Sequence, residues 1–151
     1  MAELRILEFD ESNYKGGILA RFCGEETDNK TAFKLGKQMV DLMVEAKGLG
    51  LAANQVGHLV QLMVISIKGK PVILYKPKII KIGHETAIAE EGCLSLPGIF
   101  REISRPTEVK FSAIINKAGK RKDFALKDLE ARTFFHEFSH LSGTTILDER
   151  V

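Results

Sequence analysis

The sequence predicts an α+β fold: a single domain over residues 1–151, with a central helix enclosed by antiparallel or mixed β-sheets. Three observations lead there. Two helix-period stretches, Thr31–Ala46 and residues 127–142, bracket a long block of strand-type runs. The second of these helices is apolar on one side and carries histidines on the other, so neither side suits open solvent. A chain of 151 residues also suffices for one core, burying about 68–70 % of the surface its unfolded form exposes.

Residues 1–27 show weak periodicity and several turn formers, and read as mostly irregular. From Thr31 to Ala46 a helix is expected, because Leu35, Met39, Leu42, Met43 and Ala46 share one stripe. Gly48 then suits a C-terminal cap. "GLGLAANQVG" (48–57) reads as a glycine-rich loop, and "LVQLMVISI" (59–67) as a strand. "KGK" turns into an extended run over 71–82 that should break at Pro77, which lacks an N–H for a ladder. "EVKFSAII" (108–115) alternates, with Val109, Phe111, Ala113 and Ile115 on one face, and "NKAG" returns it into "RKDFAL" (121–126).

The helix over 127–142 decides the architecture. At about 100° per residue, Leu129, Thr133, His136 and His140 lie within a band about 60° wide. Ala131, Phe134, Phe138 and Leu141 lie opposite. The Phe side must enter a core, while the histidine side faces something else that is enclosed. Sheet on more than one side of this helix satisfies both.

Composition excludes several classes of function. A formal charge of +2 gives no general attraction to nucleic acid, so no specific DNA partner is expected. The basic tract "KAGKRKD" (117–123) lies between two strand-type runs and reads as a solvated hairpin turn. No apolar run approaches the roughly 18 residues of a membrane span. The opening "MAELRILEFDE" has the pattern of neither a secretory signal nor a transit peptide. Cys23 and Cys93 are therefore expected to stay reduced, in a cytoplasmic protein.

"FHEFSHLSG" (135–143) carries the chemistry. Two histidines at i and i+4 project from one helix face about 5–6 Å apart, suited to one metal ion. Glu137 between them is placed to handle a water rather than the metal. Many HExxH proteins find a third ligand downstream, but the place of the last histidine in HExxHxxGxxH holds Ile146. The only later carboxylates are Asp148 and Glu149. Upstream candidates are Cys23, Cys93, His58 and His84. Cys93, in "EGCLSLPG" (91–98), would be offered by a loop whose glycine lets the backbone come close.

Taken in order, "GLGLAANQVG", "EGCLSLPG" and "HEFSHLSG" resemble the three signature motifs of peptide deformylase, approximately GxGLAAxQ, EGCLS and HExxH. The resemblance covers about residues 30–147. It implies that Cys93 completes a ligand set with His136 and His140. It implies one divalent metal ion, natively Fe2+, replaceable by Zn2+, Ni2+ or Co2+. The implied reaction is hydrolysis of the N-formyl group from formyl-methionyl nascent peptides. Glu137 would act as general base and acid, with Gln55 and the backbone N–H of Leu94 donating to the oxyanion. The peptide would bond along Leu49, Gly50 and Gly92. Leu49, Ala89, Leu129, Arg132 and Thr133 align with the family's methionine pocket, and Arg101 with a substrate-binding arginine. Glu91 and Arg105 resemble a structural ion pair.

The chain also departs from the family pattern. Ser139 stands where aspartate is usual, Phe135 where glutamine is usual, and Asn54 where proline is usual. The C-terminal extension of many bacterial members, part of which helps them dock near the ribosome exit, has no counterpart. A minimal form is expected, of the kind found in a bacterial cell or a phage-infected host. Two other readings fit an HExxH chain: a short metallopeptidase cleaving ordinary peptide bonds, and a catalytically silent relative that binds peptide or metal.

Overall fold

In the computed structural model, which describes residues 3–149, seven strands and two long helices follow an irregular N-terminal segment with two 3-10 turns. α1 spans Asn29–Glu45 and α2 Asp128–Leu141. The strands are β1 (Gly50–Ala52), β2 (Leu62–Ile67), β3 (Lys70–Ile82), β4 (Thr86–Cys93), β5 (Leu96–Pro106), β6 (Glu108–Ile114) and β7 (Arg121–Lys127). A five-stranded antiparallel sheet has the order β1-β2-β3-β6-β7, and β4-β5 is a separate hairpin. The α+β class holds. Among the described residues no helix is long and apolar enough to cross a membrane.

β2 fixes the position of the core. Leu62 and Val64 lie against the α1 side with Met39 and Met43, while Met63 and Ile65 lie against the α2 side with Phe134. All four β2 side chains are fully buried, each contributing about 1.5–3 kcal/mol of burial. On α2, Phe134 stacks on Phe111 at 4.1 Å and on Phe138 at 5.4 Å between ring centroids. Sheet lies behind α2, and the β4–β5 hairpin approaches its other side.

Local chemistry explains the element ends. Asp28 caps α1 by accepting from the Thr31 N–H at 2.7 Å. At its other end Lys47, not Gly48, takes the left-handed conformation (φ 57°), and the Gly48 N–H bonds the Met43 carbonyl at 2.9 Å. A Cβ at Gly48 would meet Leu94 Cδ1 at 2.8 Å, so a larger residue there would displace that side chain.

Four expectations need correction. Within the expected loop 48–57, Gly50–Ala52 form an edge strand on β2 and Ala53–Val56 a 3-10 turn. The fully buried Leu51 and Ala52 could not leave their backbone unpaired. The strand expected from residue 59 starts at Leu62, because Val60 instead bridges Glu25. β3 does not break at Pro77; register shifts with Lys76 at φ 51° keep the strand continuous around the missing N–H. Finally, Cys93 ends a β-strand rather than lying in an open loop.

Candidate metal centre and active site

α2 and the β4–β5 hairpin bring the site together. His136 and His140 lie one turn apart on α2, with ring centroids 5.0 Å from one another. Cys93 ends β4, just before the chain turns through Leu94 and Ser95 into β5. Its Sγ lies 3.3 Å from His140 Nε2, and one donor atom from each of Cys93, His136 and His140 falls within 4.8 Å of the others. A thiol and two imidazoles converging this closely fit a divalent metal ion of intermediate softness. Glu137 Oε1 agrees with that fit: it is buried beside the set and has no hydrogen-bond partner among the described residues.

Glu91 orients the first histidine. Its Oε1 faces His136 Nδ1 at 2.9 Å, and its Oε2 takes Arg132 Nη1 at 2.6 Å. Arg105 grips both oxygens, with Nε and Nη2 each at 3.0 Å. Burial pushes the Glu91 carboxyl up, but bonds from His136 and Arg105, and the Arg105 charge, hold it down at about 2. An ionised carboxylate only accepts, so Nδ1 of His136 carries a proton, and Nε2 is the nitrogen turned towards Cys93 and His140, which gives up its own proton when a metal binds.

Burial likewise opposes charge on His136. With no metal bound, it is outweighed by the Glu137 charge, by the nearby Cys93 sulfur and by the bond to Glu91, which together raise this histidine to about 10. Burial lifts Glu137 to about 7, and burial together with the His136 charge keeps His140 well below the usual histidine range.

The 3-10 turn after β1 closes the other side. Gln55 Oε1 accepts from the Ala52 N–H at 2.9 Å, so its amide Nε2 points inward, 3.1 Å from Ser95 Oγ and 3.7 Å from Cys93 Sγ. Asn54 Nδ2 donates to the His140 carbonyl at 2.6 Å and ties this turn to α2. Gly50 passes so near Glu137 that a Cβ would lie 2.6 Å from Oε2.

A cavity of about 410 Å³ opens over these groups. Leu49, Gly50, Gln55, Gly92, Cys93, Leu94, Leu129, Arg132, Thr133, His136 and Glu137 all line it. His140 lies fully buried behind it. Ala89 and Arg101 do not line it: Ala89 is exposed on β4, and Arg101 turns outward to Glu11 at 2.6 Å. Arg132 offers no unpaired charge to the cavity, since its guanidinium bonds Glu91, the Ile103 carbonyl (3.0 Å) and the Ala87 carbonyl (2.7 Å). The sequence reading missed Ile99 and Phe100 in the cavity wall, and Ser95 behind Gln55. No local pattern announced them, because the buried positions along β5 do not alternate.

Comparison with known proteins identifies the family. The family model described as polypeptide deformylase matches residues 13–151. A peptide deformylase of Clostridium botulinum is 37 % identical over 136 residues, covering 89 % of this chain and 91 % of that protein. The crystal structure of peptide deformylase from Thermotoga maritima superposes with a TM-score of 0.88 at 34 % identity, over 100 % of this chain and 99 % of that one. A probable peptide deformylase from Synechococcus phage S-SSM7 gives 0.84 at 32 % identity, over 97 % and 99 %. With the match spanning nearly the whole chain and the fold shared throughout, the chain belongs to the polypeptide deformylase family, metal-dependent enzymes that act on nascent formyl-peptides.

Proposed function

We propose that the chain is one catalytic domain that hydrolyses the N-formyl group of formyl-methionyl nascent polypeptides in the cytoplasm of a bacterial or phage-infected cell. The carrying observation is the convergence of Cys93, His136 and His140 donor atoms within 4.8 Å at a cavity that Glu137 and Gln55 also line. A divalent cation held by these three residues, natively Fe2+ and replaceable by Zn2+, Ni2+ or Co2+, supplies a Lewis acid that lowers the pKa of a water and polarises the formyl carbonyl.

This chain's residues do the rest. Glu137 takes the water's proton and delivers it to the leaving amine. In the metal-free site burial raises its pKa. Gln55 Nε2 and the Leu94 N–H donate to the oxyanion as it develops, and one such donor can be worth about 10²–10³ in rate. The Ala52 N–H already occupies Gln55 Oε1, so the amide needs no reorientation at that moment. The peptide backbone runs along Leu49, Gly50 and Gly92. Leu49, Leu129 and Thr133 receive the methionine side chain.

Steady-state release of formate from formyl-Met-Ala-Ser by Fe2+-loaded protein, prepared anaerobically, tests the reading. Acetyl-Met-Ala-Ser should be turned over far more slowly. Cleavage of the Met–Ala bond in place of formate release would make the chain a peptidase and end the proposal.

A further inference from the structure

We infer that Glu149 is a positioning residue of the metal centre: from the segment after α2, its carboxylate brings Arg105 the negative charge that Ser139 lacks. This rests on the metal centre proposed above.

The buried charges around Glu91 are unbalanced. Arg105 and Arg132 both lean on this one carboxylate, and His136 shares it. A divalent cation at the thiolate and imidazoles would be matched by the Cys93 thiolate and the Glu137 carboxylate, so one guanidinium charge beside Glu91 stays unmatched. Glu149 answers it. Its Oε1 lies 3.4 Å from Arg105 Nη1 and 3.0 Å from Ser139 Oγ. Ser139 Oγ in turn accepts from Arg105 Nη1 at 3.2 Å. A hydroxyl has one proton, and between a guanidinium and a carboxylate it can only donate to the carboxylate. Ser139 therefore relays Glu149 to Arg105 as well as letting it through directly.

The effect reaches the metal through one oxygen. Arg105 Nη2 and His136 Nδ1 both bind Glu91 Oε1, at 3.0 and 2.9 Å. Charge that Glu149 takes up from Arg105 leaves this oxygen a better acceptor for His136. A histidine whose Nδ1–H is well held binds metal more strongly through Nε2. Pinning of the C-terminal segment does not account for the contact. That segment has anchors of its own: Ile146 is buried with Tyr14, Leu96 and Ile103, and Asp148 accepts from Tyr14 at 3.2 Å and from the Thr145 N–H at 2.9 Å.

The test is Co2+ titration of metal-free protein, read by visible absorption and by competition with a chelator, for the parent, Glu149→Gln and Glu149→Gln/Ser139→Asp. Glutamine keeps the shape and an acceptor oxygen while removing the charge. Glu149→Gln should weaken Co2+ binding about tenfold, the low end for losing an outer partner of a ligand. The melting temperature of its metal-free form should stay at the parent's. Aspartate at 139 reaches Arg105 directly and should restore affinity and spectrum in the double variant. Parental affinity in Glu149→Gln, or no recovery in the double variant, overturns this inference while leaving the metal centre standing. A parent that takes up no Co2+ overturns the metal centre, and this inference with it.

Discussion

Gly50→Ala separates the position of the proposed general base, Glu137, from its presence. Gly50 has no left-handed φ, so alanine fits its backbone, and only the side chain matters. The new Cβ would lie 2.6 Å from Glu137 Oε2, 2.8 Å from Cγ and 3.0 Å from Cδ, where ordinary contact begins at 3.4 Å. The carboxylate must move by about 0.8 Å, the difference between 2.6 and 3.4 Å. Glu137 is only 4 % exposed, so it cannot swing into solvent to comply. Overpacking of this kind costs about 1–3 kcal/mol in stability. Misplacing a reacting group by an ångström can cost about 10²-fold in rate. The expected variant therefore folds, binds metal with parental stoichiometry and releases formate from formyl-Met-Ala-Ser about 10²-fold more slowly. Gly16→Ala, where an added Cβ meets nothing within 4 Å, is the control and should behave as the parent. A Gly50→Ala variant that is fully metal-loaded and as fast as the parent would show that the rate does not depend on where this carboxylate sits.

Three further outcomes are expected. Glu137→Gln should keep its metal while deformylation drops by at least about 10²-fold, with no recovery between pH 6 and 9; loss of the metal would instead make Glu137 a ligand. Cys93→Ser should lose Fe2+ on dialysis because a neutral hydroxyl cannot replace a thiolate at a soft site, whereas Cys23→Ser should retain it; elemental analysis reads both. Burial raises the Cys23 thiol from 9.0 to about 11, so the folded state favours its neutral form. That contribution is complete below the unfolded thiol's pKa and is lost as pH rises through 9 towards 11. Denaturant midpoints should thus fall more steeply over that range in the parent than in Cys23→Ala, and equal slopes would exclude the effect.

The helices and the central sheet were legible because their burial is periodic. Four apolar residues at helical spacing marked the core side of α2, and strict alternation marked β6. The hairpin was not legible. Along β4 only Glu91 is buried, and along β5 the apolar buried positions Leu96 and Ile103 lie too far apart to alternate visibly. The histidine pair could be read from i,i+4 spacing, since one helix fixes both side chains. Cys93 could not be chosen over Cys23 on such grounds, because strand pairing, not local sequence, carries it to α2; the family motifs selected it. The family motifs pointed to the Glu91–Arg105 pair, but the further bonds of Glu91 to Arg132 and His136 were hidden for the same reason. Its partners lie 14, 41 and 45 residues away, and no local pattern announces a carboxylate shared among them.

The division of the ligand set between two elements has a thermodynamic consequence. β4–β5 is anchored by few apolar side chains and by a polar cluster, so it should open locally at lower free energy than the sheet behind α2. One proposed ligand lies on this hairpin and two on α2, so a bound metal would cross-link them and opening the hairpin would break a coordination bond. Any state that binds metal is favoured by mass action over one that cannot. Amide hydrogen exchange along Thr86–Cys93 should therefore slow as metal is added, while amides of β2 and β3 exchange at an unchanged rate. A cation held there would set the local stability of the strand that presents Cys93 to it.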